Sequence, residues 1–170
     1  MPRAPTAPSW SPYGDEAQAR YVSGEPIYFY SRTGPFFELS NFAPFGFEAD
    51  GKLWPTVEHY YQAHKFADTA FRERVRRTAS AKEARALGQS RQAPIRPDWD
   101  TARQEVMLYA LRLKFRRAEL RALLLSTGDR ELIEASPYDH FWGAGKDGTG
   151  LNRLGVLLMQ VRSELQAKLV

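Results

Sequence analysis

The sequence predicts an α+β fold, mainly helical, in which a small N-terminal antiparallel β element precedes about five helices. Three observations carry this expectation. Short aromatic and β-branched runs crowd the stretch 27–54 around an Asp-Gly turn. From Val57 onward, apolar residues recur at steps of three and four. The chain has 170 residues, 43% of them hydrophobic, with 4 Trp, 8 Tyr and 10 Phe. That is enough for one well-packed domain, short for two, and far from the composition of a disordered chain.

The elements follow in order. Residues 1–24 carry Pro2, Pro5, Pro8 and Pro12 among small and polar residues without a sustained period. They are expected to be a loosely ordered extension, with Trp10 and Tyr13 as its candidate anchors. The domain is expected over 25–170. Ile27-Tyr28-Phe29-Tyr30 suits a strand, and Phe45–Ala49 and Lys52–Trp54 flank Asp50-Gly51, whose tight primed turn needs positive φ. After Trp54-Pro55-Thr56, Val57, Tyr60, His64, Ala67 and Phe71 form the stripe of one core-facing helix. Ser80-Ala81-Lys82-Glu83 matches a capping box and opens a short helix ending near Gly88. Trp99, Ala102, Val106, Tyr109, Ala110 and Leu113 mark a longer helix entered from Pro97-Asp98. Leu120–Leu125 extends another, broken around Gly128, and Leu154, Leu157, Leu158, Val161 and Leu165 mark the last.

Charge and composition narrow the function classes. With 24 basic and 20 acidic residues, the net charge is +4. Arg72, Arg74, Arg76 and Arg77 cluster, as do Arg112, Lys114, Arg116 and Arg117, and both clusters are expected on solvated helix faces. The excess permits an anionic substrate without demanding one. The absence of cysteine excludes disulfides, a thiol nucleophile and cysteine-ligated zinc. No apolar run approaches the roughly 18 residues of a membrane span, and the N-terminus has no signal-peptide core. A soluble cytoplasmic protein is therefore expected. His59 and His64, five apart, point about 140° from each other on a helix, unlike a zinc-binding pair four apart. No metal site is expected.

Two segments can carry chemistry. Glu58, Tyr61, Gln62 and Lys65 are spaced i, i+3, i+4 and i+7, so a carboxylate, a phenol, an amide and an amine share a helical face. An ordinary polar helix face with a dipole-compensating glutamate has the same spacing. In the first turn, the helix dipole favours the ionised carboxylate and burial opposes it; unless burial wins, Glu58 suits a base, nucleophile or cation stabiliser better than a general acid. The second segment, Asp139–Asn152, holds Gly143-Ala144-Gly145-Lys146-Asp147-Gly148, a G-x-G-x-x-G string. With no βαβ unit around it, it is not a dinucleotide fingerprint. Its glycines permit either a close backbone approach to a ligand or a flexible connector, with Asp139 and Trp142 flanking and a helix N-terminus near Asn152.

Taken in order, these segments resemble the YbiA-like, or NADAR, family over about residues 27–165. The matching elements are Phe29-Tyr30, Leu39-Ser40-Asn41-Phe42, Gly51 with Trp54-Pro55-Thr56-Val57-Glu58-His59-Tyr60-Tyr61-Gln62, Lys65-Phe66, Asp98-Trp99, Lys114-Phe115, Thr127-Gly128-Asp129 and Asp139-His140-Phe141-Trp142-Gly143-Ala144-Gly145. Gly150, Asn152, Leu154-Gly155 and Leu157–Arg162 complete it. A small departure is His64, where glutamine is expected more often.

The resemblance implies an N-glycosidase needing no metal or organic cofactor. One branch of the family hydrolyses phosphorylated ribosylamino-pyrimidines of early riboflavin synthesis. Another removes ADP-ribose from modified guanine in nucleic acid. A small phosphorylated N-riboside is thus the first expected partner, and nucleic acid carrying ADP-ribosylated guanine the alternative. A non-catalytic module that binds nucleotide or ADP-ribose is the third reading. The resemblance implies a catalytic role for Glu58 and functional roles for Lys65, Trp99, Asp139 and Trp142. Glu58 and Asp139 form an analogue of the glycosidase carboxylate pair. Lys65 either holds a phosphate or attacks C1′ of the opened sugar. Trp99 and Trp142 are candidates for stacking on the base, and Asn41 and Asn152 for hydrogen bonds to ribose or base edges. Ser40, Gly143 and Gly145 complete the substrate-binding set.

Overall fold

A computed structural model describes residues 24–30 and 34–169. Apart from Gly24, the expected extension, with Trp10 and Tyr13, lies outside the described residues. The architecture is α+β and mainly helical, and the chain divides into two compact units. One comprises the residues up to Ser40 together with those from Leu124 onward; the other is Asn41–Leu123.

In the 41–123 unit, β2 (Phe47–Ala49) and β3 (Lys52–Trp54) form an antiparallel hairpin that pairs Phe47 with Trp54 and Ala49 with Lys52. Asp50 and Gly51 both adopt positive φ, at 54° and 72°, as the two-residue primed turn requires. Thr56 then caps α1 (Val57–Ala63), its hydroxyl oxygen accepting from the His59 N–H at 3.2 Å. All seven residues of α1 are buried. It is a central helix, packed by α2 (Thr69–Arg76), α3 (Ala81–Gly88) and α4 (Trp99–Lys114).

The single helix expected over 57–71 is thus two. Its stripe misled because Lys65-Phe66 leaves the helix, with Phe66 bridging to Ile95 and the Arg96 N–H donating to the Lys65 carbonyl at 2.8 Å. Asp68 starts α2 afresh, accepting from the N–H groups of Ala70 and Phe71 at 2.8 and 3.1 Å. The Ser80 capping box forms at α3, where Ser80 accepts from the Glu83 N–H at 3.2 Å. Glu83 reaches back to the Ala79 N–H at 3.0 Å. On α4, Tyr109 is exposed whereas Met107, Ala110 and Leu111 are buried, so the buried face is turned from the expected one. Lys114, assigned from sequence to a solvated face, is 1% exposed. It stands one turn beyond Ala110 and Leu111 and shares their buried side, with its ammonium 5.4 Å from the Phe115 ring centre.

In the other unit, β1 (Ile27–Phe29) pairs in parallel with β4 (Leu132–Glu134) in the register Ile27 to Leu132 and Phe29 to Glu134. The strand expected at Ile27–Tyr30 therefore stands outside the antiparallel element, and its partner is a three-residue run with too little pattern to read. Helix α5 (Ala118–Ser126) runs from the 41–123 unit into this one and precedes β4, and α6 (Arg153–Ala167) packs on β4. Buried Arg162 of α6 donates to Thr127 Oγ1 and the Arg130 carbonyl, both at 2.8 Å, answering its charge with polar oxygens. Among the described residues, no helix is long and apolar enough to cross a membrane.

Candidate active site

In the 41–123 unit, Glu58 is the pivot. It is 2% exposed, a burial that costs several kcal/mol unless the charge is answered. Two donors answer it on the same oxygen, Oε1: the Gln62 amide at 2.7 Å and the Arg85 guanidinium at 3.0 Å. Arg85 comes from α3 and lies 4.4 Å over the Phe42 ring. The Glu58 N–H donates to the Asn41 carbonyl at 3.2 Å. Asn41 is itself buried, with its amide nitrogen 3.4 Å from Met107 Sδ and its Oδ1 left without a hydrogen bond among the described residues.

Lys65 lies just past the end of α1. Its half-buried ammonium donates to Gln62 Oε1 at 3.3 Å and to the Gly88 carbonyl at 3.0 Å. Burial pushes the amine below the ordinary lysine range; Glu58 works against that shift and Arg85 adds to it. Amine, amide, carboxylate and guanidinium thus form one chain from Lys65 to Arg85. Beside Lys65 opens a cleft of about 720 Å³, walled by Gly88, Gln89, Arg91, Gln92 and Ile95. Tyr61, also on α1, packs on Trp99 at 5.0 Å between ring centres, tilted by 52°. Trp99 is 7% exposed.

His59 and His64 serve the scaffold. The Thr56 hydroxyl meets His59 Nδ1 at 2.8 Å, and His59 Nε2 meets the Thr78 carbonyl at 3.1 Å, so Nε2 carries the proton. Burial holds His59 below the usual histidine range, and holds His64, stacked on Tyr60 at 3.8 Å, below it too.

The remaining candidates lie in the other unit. Ser40 is buried, and its N–H closes the short 3-10 turn Phe37–Leu39 on the Phe37 carbonyl at 2.9 Å. Asp139 Oδ1 accepts from the Phe141 and Trp142 N–H groups at 2.9 and 2.7 Å, shaping the start of the glycine-rich loop. Trp142 is 8% exposed and meets Phe141 edge-on at 4.9 Å. A Cβ on Gly143 would approach the Asp139 and Glu134 carbonyls at 3.0 and 3.2 Å. Gly145 has φ +70°, and a Cβ there would fall 2.4 Å from the His140 ring. Packing within the loop therefore accounts for both glycines. Asn152, expected to hydrogen-bond a ligand, spends its amide on β4: Oδ1 accepts from the Glu134 N–H at 2.9 Å and Nδ2 donates to the Leu132 carbonyl at 2.8 Å.

Glu58, Lys65, Asn41 and Trp99 therefore share one unit; Ser40, Asp139, Trp142, Gly143, Gly145 and Asn152 belong to the other. Sequence reading missed Arg85. It is one of many arginines, and only the packing of α3 on α1 singles it out.

The chain as a whole is similar to known proteins. The family model described as the NADAR domain matches residues 28–166. The protein N-glycosidase YbiA of Escherichia coli is 47% identical over 140 residues, covering 82% of this chain and 88% of that one. A riboflavin biosynthesis protein of Vibrio vulnificus is 46% identical over 146 residues, covering 85% of this chain and 40% of that longer protein. The NMR structure of Escherichia coli YbiA superposes with a TM-score of 0.79 at 45% identity, covering 85% of this chain and 87% of the other.

Proposed function

The chain belongs to the NADAR domain family and is a hydrolase of N-glycosyl bonds, and from that premise we propose that it cleaves the ribosyl C1′–N bond of phosphorylated ribosylamino-pyrimidines. The observation that carries this reading is the hydrogen-bonded chain Lys65–Gln62–Glu58–Arg85, which reaches an open cleft at Lys65.

Cleaving C1′–N develops positive charge on the sugar. A fixed carboxylate inside the protein stabilises such charge at no reorganisation cost. Glu58 is that carboxylate, and with both donors on Oε1 its Oε2 is the oxygen assigned to C1′. Water then adds to C1′, and the base leaves with its nitrogen protonated.

Lys65 supports a covalent variant of the same reaction. The ring of a ribosylamine opens to an imine at C1′. The neutral Lys65 amine adds to that carbon and expels the pyrimidine amine, leaving a lysine imine. Water hydrolyses it to the free amine and the sugar aldehyde. Burial, which pushes the Lys65 amine below the ordinary lysine range, favours the neutral form this step needs. Arg91, on the cleft wall, is the cation assigned to the substrate phosphate. The unsatisfied Asn41 Oδ1 suits a ribose hydroxyl donor, while Trp99 supplies an aromatic face for the base. The riboflavin-synthesis name of the Vibrio vulnificus relative supports this substrate class.

The test is to incubate the purified chain separately with a ribosylamino-pyrimidine phosphate and an oligonucleotide carrying ADP-ribosylated guanine. Release of the pyrimidine supports the proposal. Release of ADP-ribose alone moves the assignment to nucleic acid, and tight ADP-ribose binding without turnover makes the chain a binding module. Borohydride added during turnover should trap the sugar on Lys65, and repeated failure under single-turnover conditions removes the imine route.

A further inference from the structure

Between the two reactive groups stands an amide whose place depends on a missing side chain. Gln62 Nε2 donates to Glu58 Oε1 at 2.7 Å, and Gln62 Oε1 accepts from Lys65 Nζ at 3.3 Å. The amide is oriented by these opposite demands, since only its nitrogen can donate to the carboxylate and only its oxygen can accept from the ammonium. Gln62 is 3% exposed, so water does not compete for these contacts. Gly88, at the end of α3, makes the seat. A Cβ there would lie 2.2 Å from Gln62 Oε1 and 2.9 Å from its Cβ and Cδ. The Gly88 carbonyl also holds the Lys65 ammonium at 3.0 Å.

We infer that Gln62, seated by Gly88, is the positioning residue of the reaction, holding the Glu58 carboxylate and the Lys65 amine in fixed orientation while keeping them from pairing with each other. Without the amide, the half-buried ammonium just past α1 and the buried carboxylate two turns before it are drawn towards each other as an ion pair. That pair occupies the carboxylate and stabilises the protonated amine, so both lose the state the reaction needs. With the amide present, the donors of Gln62 and Arg85 converge on Oε1 and leave Oε2 to the substrate. This inference rests on the assignment of Glu58 and Lys65 to the reaction.

Three variants test it. Gln62→Met removes both hydrogen bonds at similar volume and should lower kcat about 100-fold with KM little changed, the scale of a misplacement of roughly an ångström. Gly88→Ala should do the same through an intact Gln62, by pushing its amide aside. Gln62→Glu places a carboxylate beside Lys65; in NMR titrations of carbon-labelled lysines, Lys65 should then titrate at higher pH, and the acid limb of kcat/KM should move the same way. That titration needs no substrate, and an unchanged unfolding midpoint shows that its movement is not a loosening of the fold that exposes the amine. Wild-type kcat in folded Gln62→Met and Gly88→Ala, or an unmoved Lys65 titration in Gln62→Glu, overturns the inference. An inactive Glu58→Gln alongside a fully active Gln62→Met refutes this inference alone, whereas a fully active Glu58→Gln removes the site assignment beneath it.

Discussion

Arg85→Met asks how the protein keeps a carboxylate buried. The substitution retains an unbranched stem over Phe42 and deletes the guanidinium that meets Glu58 Oε1 at 3.0 Å. A hydrogen bond to a charged group contributes about 1.5–3 kcal/mol, and breaking a fully buried pair costs about 3–5 kcal/mol. The Arg85 side chain is 45% exposed, so solvent screens its half of the pair and the smaller range applies. Its contact with Phe42 contributes a further ~0.5–1 kcal/mol, of which methionine keeps the packing share. The expected loss is about 2–3 kcal/mol, or a fall in Tm of roughly 4–10 °C for a chain of this size. Urea unfolding and calorimetry of four proteins measure it: wild type, Arg85→Met, Glu58→Gln and the double variant. The double variant should recover about 1–2 kcal/mol relative to the sum of the singles, because no carboxylate is left without its cation. A single variant within about 0.5 kcal/mol of wild type, or strict additivity, refutes the reasoning.

Two further outcomes follow from the scaffold. Burial holds His59 and His64 below the usual histidine range, so the unfolded chain binds more protons as pH falls through about 6.5. Stability should be full above that pH and decline towards pH 5, by at most ~1.4 kcal/mol per pH unit for each histidine. His64→Gln should flatten the slope, and a pH-independent midpoint between 7 and 5 contradicts it. In the glycine-rich loop, Gly145→Ala must adopt φ +70° and displace an exposed His140 ring, costing about 1–2 kcal/mol. Gly150→Ala should cost more, since its Cβ would meet the Gly143 carbonyl oxygen at 2.4 Å and backbone cannot swing away. Equal midpoints for the two in thermal denaturation contradict that order.

What could be read from sequence was what local chemistry dictates. The Asp50-Gly51 turn and the Ser80 box each depend on residues within four positions, and each forms as expected. Glu58 stood out through its motif and its first-turn position. Its surroundings were hidden because they come from elsewhere in the chain: Arg85 and Gly88 from α3, and the Asn41 carbonyl from the preceding segment. A polar face at i, i+3 and i+4 looks solvated when α1 is taken alone, yet it is buried because α3 supplies both charge and a glycine-sized gap. The stripe from Val57 to Phe71 kept helical spacing across a break, since periodicity does not register two residues turned out to pair with Ile95 and Arg96. The parallel pairing of β1 with β4 spans about a hundred residues, and no short-range signal reports it.

The measurement closest to the central claim is single-turnover cleavage of a ribosylamino-pyrimidine phosphate by wild type and Glu58→Gln, with released pyrimidine as the readout. Glu58→Gln replaces a carboxylate oxygen with an amide nitrogen at constant volume. Wild type should release pyrimidine. The variant, with its fold verified by its unfolding midpoint, should be slower by at least about 100-fold, the scale seen when a preorganised electrostatic partner is lost. Release at a near wild-type rate by a folded Glu58→Gln contradicts the account.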